Sequence, residues 1–108
     1  MNAQPATSTV AETTNHALRQ TLQQDLGEHE KLIAELADRA APHIDPVAWS
    51  TTATAKLVAE QIRTALARLD AGTYGLCTLC GGAIPAARLD AVPHAASCLS
   101  CQDKLDRF

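Results

Sequence analysis

Leu66-Ala67-Arg68-Leu69-Asp70-Ala71-Gly72-Thr73-Tyr74-Gly75-Leu76-Cys77 is the stretch where one kind of structure gives way to another. Its first six residues favour helix, and Gly72 stands where a helix needs a left-handed residue to stop. Read backwards from Gly72, apolar residues recur as Leu69, Ala65 or Leu66, Ile62, and Leu57 or Val58. Steps of three and four mark one face of a helix. The start of that helix is signalled by Asp45-Pro46. Asp caps free N–H groups, and Pro fits the first helical position. The spacing predicts a helix over 46–71. The run Ser50-Thr51-Thr52-Ala53-Thr54 forms helix poorly and would allow a later start.

Upstream, Leu18, Leu22, Leu26, His29, Ile33, Leu36 and Ala40 make a second stripe, widened by Leu32 and weakened at Gly27. Pro42 ends it, because its ring clashes with the preceding turn. This predicts a helix over 14–41, joined to the next by Pro42-His43-Ile44-Asp45. At 1.5 Å per residue the two helices are about 42 and 39 Å long. Equal helices with a short connection make an antiparallel hairpin whose stripes bury each other. Residues 1–13 carry Thr, Ala and Ser without an apolar period and read as a disordered tail. Trp49 is expected to pack over Leu36 or Ala40, and Tyr74 between the hairpin and the cysteine-bearing C-terminal segment.

Downstream lie Cys77, Cys80, Cys98 and Cys101, two Cys-x2-Cys pairs separated by seventeen residues. Two residues between thiolates let one tight turn present both sulfurs to one ion, and two such turns close a tetrahedral site suited to Zn²⁺. Gly81 after Cys80 permits a positive φ that aims N–H groups at sulfur. The second pair is followed by Gln102 instead. Four protein ligands leave no open position, so one structural zinc is the reading; iron, a redox dithiol pair, or His94 as a ligand are the alternatives. The expected architecture is therefore mainly α: an antiparallel two-helix coiled-coil hairpin over 14–71, with a small C-terminal four-cysteine zinc finger over 72–108 that ends in a short helical turn.

Composition narrows the function. The chain has 108 residues and is 46% hydrophobic, but 21 of its residues are alanine, with one Phe, one Trp and one Tyr. That suits long helices better than a deep aromatic core. The formal net charge is −3, and four thiolates with one Zn²⁺ would take it to −5. Direct sequence-specific DNA binding needs a basic surface and is not expected. No apolar run can span a membrane. The N-terminus has no basic or apolar leader segment, which predicts a cytoplasmic protein whose thiols stay reduced. No nucleophile pair, phosphate loop or paired catalytic carboxylates are visible, so an enzyme is not expected.

The 66–77 stretch, together with Cys80-Gly81-Gly82-Ala83-Ile84-Pro85-Ala86-Ala87-Arg88-Leu89-Asp90-Ala91-Val92-Pro93 and the seventeen-residue gap, resembles the helix-to-finger junction and finger of the DksA/TraR family. The resemblance is dense over about 62–102 and looser over the hairpin. It implies a bacterial transcription regulator that binds RNA polymerase rather than promoter DNA. The hairpin would enter the secondary channel, with acidic residues at its tip approaching the active site. The family tip is typically Asp-x-x-Asp-x-Ala, and Glu35-Leu36-Ala37-Asp38-Arg39-Ala40 is the nearest match, with Glu replacing the first Asp. The resemblance thus implies Asp38 and Ala40 as residues facing the polymerase active site. Asp45 is a rival, with helix capping as its other role. Gln61, Val92 and Gln102 fall where ppGpp-responsive members carry basic residues, so a ppGpp site is not expected here. Phe108 follows soon after the last cysteine, and the long C-terminal helix of larger members is expected to be absent or reduced to a turn.

Two other classes compete with this reading. One is a zinc-containing adaptor that binds a protein through its Ala-rich helices. The other is a thiol-redox or zinc-responsive protein, which would need exposed thiols of low pKa.

Overall fold

The computed structural model describes the backbone of residues 4–107 and the side chains of residues 15–107. Among these residues four helices occur in order: α1 (Gln4–Leu36), α2 (Pro46–Ala71), α3 (Ala86–Ala91) and α4 (Leu99–Asp106). The long pair forms the expected hairpin, and the molecule extends 65 × 32 × 20 Å. Ion pairs give the antiparallel register. Arg19 meets Asp70, and Glu30 meets Arg63 at 3.0 Å, so α2 runs back as α1 advances.

α2 spans the residues that its caps dictate. Asp45 Oδ1 accepts the Ala48 N–H at 3.0 Å, and Pro46 opens the first turn. Gly72 has φ 80° and hands its N–H to the carbonyls of Arg68 and Leu69. Thr73 N–H also reaches Arg68 O at 2.9 Å, completing a Schellman-type stop. The Ser/Thr run at 50–54 stays helical, because Ala48, Thr52 and Ala55 are buried against α1.

α1 departs from expectation at both ends. Its backbone is helical from Gln4, inside the stretch read as a tail. Pro5 falls in the first turn, where a missing N–H costs nothing, and no Gly or Pro interrupts the next twenty-one residues. Met1, Asn2, Ala3 and Phe108 lie outside the described residues. At the other end the helix stops at Leu36 rather than 41. Pro42 keeps the last of the expected residues from continuing the helix. Its ring excludes the carbonyl of Asp38, and it disfavours helical geometry at Ala41. The chain unwinds through tighter turns, with Ala37 N–H on Ala34 O at 3.4 Å and Arg39 N–H on Leu36 O at 3.1 Å. The tip is therefore the whole of residues 37–45.

The seam has two parts. Near the finger, Leu22, Ile62 and Ala65 are buried, with Leu18, Leu26, Val58, Leu66 and Tyr74 packed around them. Towards the tip the buried positions of α2 are Ala48, Thr52, Ala55 and Ala59. Val58 rather than Leu57 faces inward, and Leu57 is exposed. Trp49 is also exposed rather than packed over Leu36 or Ala40.

This division predicts unequal sensitivity. Ile62 has no solvent exposure, so Ile62→Asp buries an unpaired charge and should cost about 3 kcal/mol or more. A fall in melting temperature of roughly 10 °C or more is expected. Leu36→Asp, at the half-exposed last residue of α1, should cost much less. Thermal melts of the two variants check the ranking, and equal shifts would contradict it.

Candidate functional site

The finger is built on the hairpin's stop signal. After Gly72 the chain forms an isolated antiparallel bridge between Leu76 and Ala83. Cys77 N–H donates to Gly82 O at 2.7 Å, and Ile84 N–H to Gly75 O at 2.7 Å. Gly81, with φ 75°, sends its N–H to Cys77 O at 2.9 Å and closes the first cysteine turn. The second turn needs no glycine because it is a helix start. Cys98 precedes α4, Cys101 lies in its first turn, and Gln102 N–H bonds Cys98 O at 2.9 Å. Thr78 joins the two halves: its N–H and hydroxyl both donate to Ala96 O, at 2.9 and 3.0 Å. Arg88 Nε–H adds a bond to Ser97 O at 2.9 Å.

These bonds bring the four Sγ atoms within 4.8 Å of one another. Cys80 Sγ and Cys98 Sγ stand 4.0 Å apart. A disulfide would need about 2.05 Å. Four sulfurs at about 2.3 Å from one Zn²⁺ lie about 3.8 Å apart along the edges of a tetrahedron. The donor set fits zinc in charge as well. N–H groups of Cys80 and Cys98, and that of Leu79 at 3.4 Å, lower the pKa of the Cys77 thiol to about 6. Cys101 is pushed up to about 12, first by its contacts with the sulfurs of Cys98 and Cys77. Crowded thiols of this kind share their negative charge poorly without a cation. Among the described residues His94 is not part of the cluster; burial lowers its pKa, and its Nδ1 lies buried at the junction with the hairpin.

Residues 72–107 match the prokaryotic DksA/TraR C4-type zinc finger. The match covers the C-terminal third of the chain and takes in all four cysteines. The chain is also similar to DksA2, a transcription factor from Pseudomonas aeruginosa, with a TM-score of 0.64, 24% identity and coverage of 97% of this chain and 92% of that one. At that identity the likeness is one of fold, and it extends over the hairpin as well as the DksA/TraR finger. An RNA polymerase-binding protein and transcriptional regulator from Chlamydia trachomatis L2 aligns with a TM-score of 0.42 at 23% identity, over 78% of this chain and 90% of that one. A protein of Aquifex aeolicus (strain VF5) is 40% identical over 47 residues, 44% of this chain. The chain spans about one third of that relative's length (32%). The DksA/TraR finger is a four-cysteine site for one Zn²⁺, which holds the fold and leaves no coordination position open.

Tyr74 ties the DksA/TraR finger to the hairpin as expected. It packs on the Leu22–Ile62 cluster and donates its hydroxyl to Pro93 O at 2.8 Å. Burial, then the nearby Asp90 carboxylate, raises its pKa. Gln61, Val92 and Gln102 also meet there. They line a cavity of about 110 Å³ with Arg88, His94 and Ser97. The Gln102 amide is already engaged, accepting from Ser97 Oγ at 2.9 Å and donating to Asp106 at 3.0 Å.

The tip candidates separate clearly. Asp38 is exposed in the turn after α1 and makes no ion pair among the described residues. Ala40 is half-buried. Asp45 is half-buried and doubly engaged, capping α2 through Oδ1 and meeting Arg39 Nε at 3.2 Å through Oδ2. The Arg39 partnership was not legible beforehand, because the stripe places Arg39 inside the helix expected over 14–41. Ile44 and Val47 stand exposed beside Trp49.

No helix among the described residues is long and apolar enough to cross a membrane.

Proposed function

We propose that this chain is a cytoplasmic, non-enzymatic transcription regulator that binds RNA polymerase and acts through its secondary channel. The DksA/TraR finger anchors the base, and the hairpin carries residues 37–45 towards the polymerase active site. The observation that carries this reading is the exposed Asp38 carboxylate at the end of the hairpin away from the zinc finger. α2 has 26 residues, so the tip stands about 39 Å from the finger. A thin helical pair with an alanine seam buries little, yet it makes a narrow probe. An acidic tip suits a site that holds Mg²⁺ and basic side chains. Asp38 is the acting group in this account, and Ala40 keeps the turn small beside it. Asp45 is the cap. Binding spreads over hairpin and finger and needs no DNA contact.

Core RNA polymerase should retain the purified protein, and a known secondary-channel factor should compete it off. Retention without competition would place the contact elsewhere on the enzyme and overturn the channel reading.

The junction cavity supports a further expectation. Arg88 is its one cation among the lining residues, and its Nε already serves Ser97 O. A ppGpp phosphate site needs more positive charge or free N–H groups than this. The regulatory effect should therefore change less than about twofold on adding ppGpp, an energy below RT ln 2 (~0.4 kcal/mol). In vitro transcription with polymerase lacking its own ppGpp site measures this, and strong potentiation would contradict it.

A further inference from the structure

The Asp45 carboxylate has its two oxygens engaged on opposite arms of the tip. Oδ1 holds the Ala48 N–H at 3.0 Å, in the first turn of α2. Oδ2 meets Arg39 Nε at 3.2 Å, on the arm that descends from α1. Between them the backbone turns twice, and Ala41 O accepts the N–H groups of Ile44 and Asp45 at 3.1 and 3.0 Å. Arg39 directly follows Asp38, so their Cα atoms are about 3.8 Å apart. A guanidinium held at Asp45 therefore fixes the backbone from which Asp38 projects.

Resting on the proposed role of Asp38, we infer that Arg39 and Asp45 form a latch that sets the direction of the Asp38 carboxylate. Both are positioning residues, and Asp38 is the group presented to the polymerase. Offering Asp45 instead would break a helix cap and an ion pair at once. The pair is partly exposed, with the Arg39 side chain 59% and the Asp45 side chain 34% accessible. An ion pair so placed adds little to stability and is screened by salt. Its consequence lies in where the loop sits.

The test uses the full chain with Arg39→Gln, Asp45→Asn, Arg39→Lys and the double variant Arg39→Gln/Asp45→Asn. Asn caps a helix about as well as Asp, so Asp45→Asn removes the pair and keeps the cap. Trp49 is the chain's one tryptophan; its backbone N–H bonds Asp45 O at 2.9 Å, which sets its exposed indole one helical turn from Asp45, and a shift of the loop alters that indole's surroundings and its emission. Each single variant should shift that emission alike and lower the regulatory effect at polymerase saturation by roughly 2- to 5-fold. The polymerase concentration for half-saturation should stay within about twofold, since removal of one exposed pair leaves the binding surface in place. The double variant should be no worse than either single one, because all three lack the same interaction. Arg39→Lys should recover part of the effect, and salt should move the wild-type emission towards that of the variants. Additive losses in the double variant, or an unmoved Trp49 emission, would overturn the latch. An inactive Asp38→Asn with additive losses removes the latch and keeps the tip reading. A fully active Asp38→Asn removes the tip reading, and with it the positioning role, whatever Trp49 shows.

Discussion

Cys80→Ser is expected to release the zinc and unfold the finger while α1 and α2 remain paired. The finger's interior is small: Cys77, Ile84 and Ser97 are its buried residues among those described. So few buried groups cannot offset the entropy of ordering residues 72–107. Zinc binding supplies the difference, worth about 10–16 kcal/mol in comparable peptides near neutral pH. Three remaining thiolates hold the ion far less well than four. Metal content should fall from one per chain to near zero by elemental analysis. The helical signal should fall modestly, because α3 and α4 have 6 and 8 residues against 33 and 26 in the hairpin. Loss of the Tyr74–Pro93 bond should also loosen the base of the hairpin. A chelator acting on the wild type should reproduce these changes, and acid should ease them, since the ligands must be deprotonated. A Cys80→Ser protein that keeps one zinc would contradict the four-thiolate site.

Asp38→Asn should abolish most of the regulatory effect, a loss of about tenfold or more, with folding intact. Asn preserves size and turn geometry and removes one charge. Asp38 is exposed and outside every ion pair described, so its loss should change stability by less than about 0.5 kcal/mol. In a channel of low dielectric, by contrast, one carboxylate near a cation is worth several times its value in water. Tenfold corresponds to about 1.4 kcal/mol, a modest demand on such a pair. Thermal melting and polymerase binding should therefore match wild type while regulation fails.

How much of this was legible beforehand depends on the kind of signal. Caps are local, and Asp45-Pro46 and Gly72 bound α2 at both ends as their chemistry requires. The cysteine spacing is local too, and four sulfurs gather as two Cys-x2-Cys turns predict. The end of α1 was harder, because Ala37, Asp38, Arg39 and Ala40 all tolerate helix. Pro42 bars the Asp38 carbonyl from a helical bond and disfavours helix at Ala41, a local effect whose reach periodicity does not show. The seam near the tip was missed for another reason. Ala48, Ala55 and Ala59 carry too little apolar surface to stand out as a stripe, yet packing buries them. The glycine that follows Cys80 has no counterpart after Cys101, where the start of α4 takes its place. Arg39 could not be paired with Asp45 while Arg39 was read inside the helix over 14–41 and Asp45 as the cap of the next.

The most direct measurement of the central claim is the lifetime of promoter open complexes with wild type, Asp38→Asn and Asp45→Asn, each at matched polymerase occupancy. The account predicts that wild type changes the lifetime, that Asp38→Asn leaves it close to that of polymerase alone, and that Asp45→Asn falls between. An Asp38→Asn protein that changes the lifetime as wild type does would contradict it.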